Sequence, residues 1–155
     1  MATTTTKKQP LWFVATQAQV HLDGGDTGGA CDLVESTARR GDMPPLHVHH
    51  EHDETFYVVE GRLSLHLPGQ SVELGPGESF FASREIPHTY RVESDEARWL
   101  VVGNPAGFAD FVREASSVAT ADGYPPDGEP DIARVAEAAA RYGIELLGPP
   151  GTLPA

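Results

Sequence analysis

Turns occur so often between residues 11 and 102 that no long helix fits between them. Glycine, proline and acidic residues cluster at short intervals through this region. Such spacing is typical of an all-β protein in which short strands are joined by tight turns. The predicted turns are Asp23-Gly24-Gly25, Gly28-Gly29, Arg40-Gly41-Asp42, Glu60-Gly61, Pro68-Gly69, Gly75-Pro76-Gly77 and Ile86-Pro87.

The segments between these turns have the residue pattern of strands. They alternate in polarity or are rich in β-branched and aromatic residues, and both features favour a pleated, half-buried conformation. Short strands joined by tight turns are expected to pack as a closed or nearly closed barrel. The predicted strands cover residues 12–14, 31–36, 47–49, 55–59, 63–67, 71–74, 79–82, 89–92 and 97–102.

The pattern changes after residue 102 from strands to helices. Asn104 followed by Pro105 is typical of a helix start, and apolar residues recur at helical spacing from Phe108 onward. A second amphipathic helix is predicted over residues 131–142, where Gly143 stops it. Both helices are expected to pack outside the barrel.

These patterns divide the chain into four regions of one compact domain. A length of 155 residues suits a single domain with a core of its own. The predicted regions are a disordered tail at 1–9, a barrel at 10–103, a helical extension at 104–145 and a loose tail at 146–155.

Composition excludes several classes of function. A formal net charge of -12, with no clusters of lysine and arginine, argues against nucleic acid and against anionic membranes as partners. No apolar run approaches the roughly 20 residues of a membrane helix. The N-terminus lacks the apolar region of a secretory signal, so a cytoplasmic location is expected. The single cysteine, Cys31, permits neither an internal disulfide nor a multi-cysteine metal cluster.

Four of the seven histidines lie within residues 47–52, and their spacing indicates a metal site. Alternate residues of a strand share a face, so His47 and His49 are expected to point together into the barrel. Glu54 opens the next strand with inward parity. His88 follows a proline turn and would join these three side chains from a distant strand.

The remaining histidines have a plainer interpretation. His50 and His52 fall at the turn or on the outer face, where exposure is expected, while His66 and His21 have no ligand-like context. A histidine-rich segment with acidic neighbours is sometimes only a solvated loop. The spacing of His88 and of the surrounding glycines favours the metal site over that alternative.

Imidazole and carboxylate donors suit one divalent transition-metal ion, such as Fe, Ni, Mn, Co or Zn. Three neutral imidazoles and one carboxylate leave such an ion with a net charge of about +1, which favours an anionic oxygen ligand such as an enolate. Glu54 is then also a candidate catalytic base. Phe56, Tyr90 and Trp99 are candidates to line a pocket for a planar substrate, although packing in the core would explain each of them equally well.

The histidine motif resembles that of the cupin superfamily. The first cupin motif is glycine, five residues, His-x-His, three or four residues, glutamate, six residues, glycine, and this chain supplies each position with Gly41, His47, His49, Glu54 and Gly61.

The second cupin motif is only partly present. Gly77 and His88 stand at their places, but the proline, second glycine and asparagine positions are Ser83, Glu85 and Val92. These departures concern turn geometry and leave the ligand intact. The resemblance covers about residues 11–102 and implies a double-stranded β-helix, a jelly-roll barrel, with a mononuclear metal site inside.

Among cupins, the chain looks most like the small quercetinase-type dioxygenases. That resemblance implies a metal-dependent enzyme that uses O2 to open the heterocycle of a flavonol-like enol with release of carbon monoxide. A non-oxidative metal enzyme, such as an isomerase, lyase or cyclase, and a non-catalytic small-molecule binder both stay open, since fold does not determine function. The resemblance also implies a homodimer.

Overall fold

The structure, a computed structural model, describes residues 8–155, so most of the predicted disordered tail lies outside the described residues. The elements are β1 (Leu11–Phe13), β2 (Thr16–Leu22), α1 (Gly24–Thr27), β3 (Asp32–Arg39), β4 (Pro45–His49), β5 (Asp53–Glu60), β6 (Leu63–Leu67), β7 (Gln70–Leu74), β8 (Ser79–Ala82), β9 (Thr89–Val92), β10 (Glu96–Asn104), α2 (Phe108–Ala115), β11 (Ser117–Val118), α3 (Ile132–Arg141) and β12 (Ile144–Pro150).

The larger sheet contains seven strands in the order β11-β1-β2-β3-β10-β5-β8, with antiparallel neighbours. Its strands alternate between buried and partly exposed residues, as expected for a sheet with one face in the core. In β10, for example, Ala97, Trp99 and Val101 are buried while Arg98 and Leu100 are less so. This alternation fixes the register, because a slip by one residue would turn every apolar side chain outward.

The facing layer is formed by two smaller sheets, β7-β6-β9 and β12-β4. An isolated antiparallel bridge between His47 and His88 links them. The main-chain N–H of each of these residues donates to the carbonyl of the other, at 3.2 and 2.9 Å. Strand β4 is thereby held beside β9.

Side chains from the two layers meet in one apolar core. Phe56 and Val58 of β5 face Leu63 and Leu65 of β6, and all four are at most 2% exposed. Burying a side chain of this size contributes about 1.5–3 kcal/mol. The arrangement confirms the predicted all-β jelly roll, and the strands predicted at 63–67, 79–82 and 89–92 have the bounds that the structure shows.

Helices α2 and α3 pack outside the sheets, as predicted. Helix α2 contacts β1, β2 and β3, while α3 contacts α2 and β12. The side chain of Asp131 accepts the main-chain N–H of Arg134 and so caps the start of α3.

The predicted start of the first of these helices, at Asn104-Pro105, is wrong. Asn104 is still paired with Asp53 at the end of β10, and the N-cap of α2 is Gly107. The carboxylate that caps this helix comes from Asp32 on β3, whose Oδ2 accepts the N–H groups of Gly107 and Ala109 at 2.9 and 3.0 Å. A cap supplied from a distant strand leaves no local signal in the sequence.

The predicted loose tail at 146–155 is also wrong over its first residues, because β12 extends to Pro150. Ile144 pairs with His49 and Leu146 pairs with His47, so the strand covers the edge of β4. Its prolines are tolerated because only one side of β12 is paired, and the register shifts at Leu146 and Gly148 absorb them. The glycine- and proline-rich composition of this segment predicted a loose tail and gave no sign of a strand.

Strand β2 was missed for a similar reason. Its sequence is largely polar, but the small or β-branched side chains of Thr16, Ala18 and Val20 alternate inward and are at most 3% exposed.

Within residues 8–155, none of the helices combines the length and the apolar character needed to cross a membrane.

Gly61 offers a test of the packing at the β5–β6 turn. Its φ is +77°, and a Cβ added there would meet the carbonyl oxygen of Glu96 and lie 2.8 Å from Cα of Ala97. Gly69 has a similar φ of +70° with open space around it. We therefore expect Gly69→Ala to lower the free energy of unfolding by about 1–2 kcal/mol and Gly61→Ala by at least ~1 kcal/mol more. Urea unfolding measures both, and equal losses would contradict the close packing at Gly61.

Candidate metal centre

Four side chains from three parts of the chain converge inside the jelly roll. His47 and His49 share one face of β4, Glu54 is the second residue of β5, and His88 directly precedes β9. One nitrogen or carboxylate oxygen from each residue lies within 4.8 Å of the corresponding atom of every other. The structure thus brings together all four residues that the sequence analysis selected as metal ligands.

Glu54 is at the centre of the cluster. Its Oε2 is 3.1 Å from Nε2 of His49 and 2.9 Å from Nε2 of His88. The imidazole ring of His47 lies 5.0 Å from that of His49 and 4.6 Å from that of His88. His49, Glu54 and His88 are at most 3% exposed.

Backbone carbonyls orient two of the rings from behind. Nδ1 of His47 is 2.7 Å from the carbonyl oxygen of Pro45, and Nδ1 of His88 is 3.1 Å from that of Ile86. A carbonyl oxygen can only accept, so Nδ1 carries the proton in both rings. Nε2 is therefore the atom of each ring that can bind a metal ion. A hydrogen bond from Nδ1 to a carbonyl oxygen is the usual way in which a protein fixes the tautomer of a metal-binding histidine.

His49 gives independent support for an ion at this position. Both of its ring nitrogens are buried without a hydrogen-bond partner among the described residues, although Nε2 is only 3.1 Å from Oε2 of Glu54. Buried polar atoms are normally satisfied, and a nitrogen beside a carboxylate without hydrogen-bond geometry suits joint binding of a cation. Three nitrogens and one oxygen are a donor set for a divalent transition metal. The cluster can therefore hold one such ion.

The electrostatics of the cluster favour one ionised carboxylate beside imidazoles of different basicity. Burial, helped by His88 and His49, lowers the pKa of His47 to about 3. Burial alone would raise the pKa of Glu54, but His49 and His88 hold it well below its usual range. Burial also disfavours the charged form of His88, yet the hydrogen bond to Glu54 raises its pKa above the ordinary value. Without metal, these shifts favour an ionised Glu54 hydrogen-bonded to a protonated His88.

The cluster opens onto a small apolar cavity of about 70 Å³. Phe56, Tyr90 and Trp99, the three residues selected from the sequence, all line it. Burial raises the pKa of Tyr90 well above its ordinary value, and the nearby carboxylates of Asp42 and Glu54 act in the same direction, so the phenol keeps its proton.

Sequence reasoning missed the other wall of this cavity. It is built by residues of β1, α2, α3 and β12, and the ring of Phe108 on α2 lies 5.9 Å from that of His49. Helical spacing shows that a helix has an apolar face. It cannot show whether that face packs against a solid core or lines a cavity. The lining residues from this wall are Phe13, Val14, Phe108, Phe111, Val135, Ile144 and Leu146.

One expectation for the neighbouring histidines was wrong. His50 is exposed, as predicted, but His52 is only 4% exposed. The ring of His52 lies behind His49 at 6.4 Å and against Gly107, where a Cβ would collide with its Nε2. The close approach of the chain before α2 buries this side chain, which turn propensity cannot reveal.

The comparison with protein families agrees with this geometry. Residues 35–103 match the family model of the cupin domain. The fold and the cluster agree with this match and with the resemblance read from the histidine motif.

Individual relatives include enzymes. The chain is similar to the quercetin 2,3-dioxygenase of Bacillus subtilis (strain 168), with 33% identity over 88 residues. That match covers 57% of this chain and 26% of the relative, so the chain spans about a quarter of the Bacillus protein.

Solved structures with the same fold include the polyketide cyclase RemF from Streptomyces resistomycificus, at a TM-score of 0.57 and 27% identity over 67% of this chain and 80% of the cyclase. An RmlC-like cupin from Shewanella frigidimarina NCIMB 400 aligns with a TM-score of 0.58 and 20% identity, over 72% of this chain and 95% of that protein.

Metal uptake should release a proton from the cluster. Because the pKa of His88 is raised above its ordinary value, binding of Zn²⁺ at pH 6.5 should displace its Nε2 proton, whereas His47, with a pKa of about 3, has none to lose. We expect a net release of protons on metal binding that falls toward zero as the pH rises past the pKa of His88. Calorimetric titration in buffers of different ionisation enthalpy measures this number.

The exposed His50 provides the control for that titration. Its pKa is also raised, by hydrogen bonds to Glu85 and Glu145, but its ring lies outside the cluster. His50→Ala should leave the proton release unchanged. Metal binding without any release of protons at pH 6.5 would contradict the assignment of a proton to the Glu54–His88 pair.

Proposed function

We propose that the protein is a mononuclear metal-dependent dioxygenase acting on a flavonol-like or other enolisable aromatic small molecule. The observation that carries this proposal is the convergence of His47, His49, Glu54 and His88 beside an aromatic-lined cavity. Three of the four, His47, His49 and Glu54, line that cavity. Four protein donors leave up to two positions open on an octahedral ion, which a substrate oxygen and O2 would need.

The metal would supply a Lewis acid that favours the deprotonated form of an enol oxygen. Glu54 is the group placed to accept the enol proton, since it is ionised, buried and beside the donor nitrogens of His49 and His88. The three histidines stay neutral in the loaded centre and provide no competing base. Glu54 therefore serves both as ligand and as catalytic base in this proposal.

The cavity walls would exclude water and orient a planar ring. Phe56 lies edge-on to His88 at 6.2 Å, and Tyr90 and Trp99 continue the aromatic wall beyond it. Apolar surroundings strengthen the electrostatic interactions of the centre and protect a reactive enolate from solvent. The lining suits an aromatic substrate better than a sugar or an amino acid.

Entry of such a substrate requires movement of the cavity wall. Sites for small organic ligands usually enclose about 300–1,000 Å³, several times the 70 Å³ seen here. The wall built by α2, α3 and β12 belongs to the C-terminal segment, and α3 contacts α2 and β12 on the outside of the sheets. We therefore propose that this wall moves outward to admit substrate.

The relatives support the reaction class in part. The Bacillus quercetin 2,3-dioxygenase is 33% identical over the matched residues, and its name supports a dioxygenase reaction on a flavonol. The quercetinase resemblance would add opening of the heterocycle, with one ring carbon leaving as carbon monoxide. The polyketide cyclase RemF, at 27% identity, supports a second candidate, a non-oxidative metal-dependent enzyme that acts on a polyketide-like aromatic without O2.

The homodimer that the resemblance implies also belongs to this proposal. Tyr57 and Phe81 on neighbouring strands β5 and β8 are 44% and 56% exposed on the outer face of the larger sheet. Large exposed apolar side chains of this kind are common at protein interfaces.

Two variants separate metal binding from turnover. We expect His49→Ala to abolish metal loading, because it removes one of four donors and leaves Glu54 buried without that neighbour. Glu54→Gln should retain part of the metal through the three histidines but lose turnover, because an amide cannot accept the enol proton. Elemental analysis of the purified proteins, with His50→Ala as the matched control, measures the loading. Unchanged metal content in His49→Ala would reject the metal centre.

Oxygen dependence separates the two candidate reactions. Metal-reconstituted protein is incubated with flavonols and with polyphenolic polyketides, with and without O2, while O2 uptake, carbon monoxide and products are followed. The dioxygenase proposal predicts equal amounts of O2 consumed and carbon monoxide released, and loss of both in Glu54→Gln. Product formation without O2 would favour the cyclase-like candidate, and stoichiometric binding without product would favour a binding protein.

A further inference from the structure

Two hydroxyl groups lie on the otherwise apolar wall of the cavity. Ser36 on β3 and Tyr90 on β9 both line it. Ser36 is only 8% exposed. Apart from the metal cluster and the indole of Trp99, the other lining residues are apolar. A hydroxyl on an apolar wall can orient a ligand through a directional hydrogen bond.

The strand register places the backbone of these two residues away from the metal cluster. Tyr90 is two residues beyond His88 on the same strand face, a distance of about 6.6 Å at 3.3 Å per residue. Trp99 is opposite Ser36 in β3 and opposite Val58 in β5. Val58 is four residues from Glu54, so the row that contains Ser36 lies about 13 Å along the sheet from the carboxylate.

A continuous aromatic wall joins the two ends. The Phe56 ring lies 6.2 Å from both His88 and Tyr90, and Tyr90 packs edge-on against Trp99 at 5.1 Å. A planar ligand held at the metal by one edge would lie along this wall. Its far end would then lie beside the part of the wall to which Tyr90 and Ser36 belong.

We propose that Tyr90, assisted by Ser36, selects substrates that carry a second oxygen at the end remote from the metal. The ligand class is a planar aromatic of two or three linked rings, with an enol at the metal end and a hydroxyl or carbonyl oxygen that accepts the phenolic O–H of Tyr90 at the other. This inference rests on the proposed function and adds the group that distinguishes one aromatic enol from another.

Packing alone does not account for a tyrosine at this position. A phenylalanine would make the same ring contacts with Phe56 and Trp99 without placing a hydroxyl in an apolar cavity. Ser36 likewise follows the buried Val34 and precedes the buried Ala38 on the inward face of β3, where an apolar residue would pack as well. Tyr90 and Ser36, the two residues that carry a hydroxyl, line the same cavity.

The test compares binding of three flavonols to Zn²⁺-loaded protein under argon, so that no turnover is needed. The probes are 3-hydroxyflavone, which has no remote oxygen, and its derivatives with one added hydroxyl at position 7 or position 4′. In the wild type, at least one derivative should bind more tightly than 3-hydroxyflavone. Tyr90→Phe should weaken that derivative by about five- to tenfold and leave 3-hydroxyflavone unchanged, as expected for loss of one hydrogen bond.

Controls make each result decisive. Tyr57→Phe removes a hydroxyl from an exposed tyrosine on β5 and should change nothing, while Ser36→Ala should weaken the same derivative as Tyr90→Phe. Unchanged binding of 3-hydroxyflavone shows that the Tyr90→Phe cavity is intact. Equal weakening of all three ligands, or of none, would overturn the selectivity role. Failure of the wild type to bind any of the three would instead overturn the proposed function, and this inference with it.

Discussion

The backbone pairing of His47 with His88 is the constraint on which the rest of the site depends. It is a single bridge between two small sheets, and it brings residues 41 positions apart into direct register. Because side chains alternate along a strand, this register also places His49 on the same face as His47. Glu54 then needs only the short connection from β4 to β5 to reach both rings. Four donors from three segments are thus positioned by main-chain geometry before any ion is bound.

The negative charge of a buried carboxylate among three neutral imidazoles is balanced only when a positive charge is also present. In the protein without metal, the proton shared by Glu54 and His88 provides it, and the two groups shift each other's pKa in opposite directions. A divalent ion would replace that proton and could satisfy the nitrogens of His49 and His47 that aim at the same space. The same low-dielectric surroundings that make an unpaired charge costly would favour an anionic oxygen as a further ligand of the loaded centre.

The sequence was sufficient for the features set by local periodicity. Alternation and turn residues predicted most strands, and the spacing of Gly41, His47, His49, Glu54 and Gly61 predicted the cluster. The sequence failed where a distant segment determines the outcome. Helix α2 is capped by Asp32 from another strand, and the proline-rich end of the chain forms β12 because β4 offers it an unpaired edge. His52 is buried by the chain before α2, and no property of residues 50–54 alone could show this.

Glu85 occupies the place of a motif glycine and keeps the backbone conformation that glycine would adopt there, with a φ of +67°. Its side chain contacts Nδ1 of His50 at 2.8 Å, while Glu145 of β12 contacts Nε2 of the same ring at 2.9 Å. One exposed imidazole therefore fastens the loop before His88 to the C-terminal strand on the outside of the molecule. Glu85, which departs from the family motif, thus helps to link the loop before His88 to β12 on the outside of the molecule. A motif search that requires glycine at this position would miss proteins that have the same link.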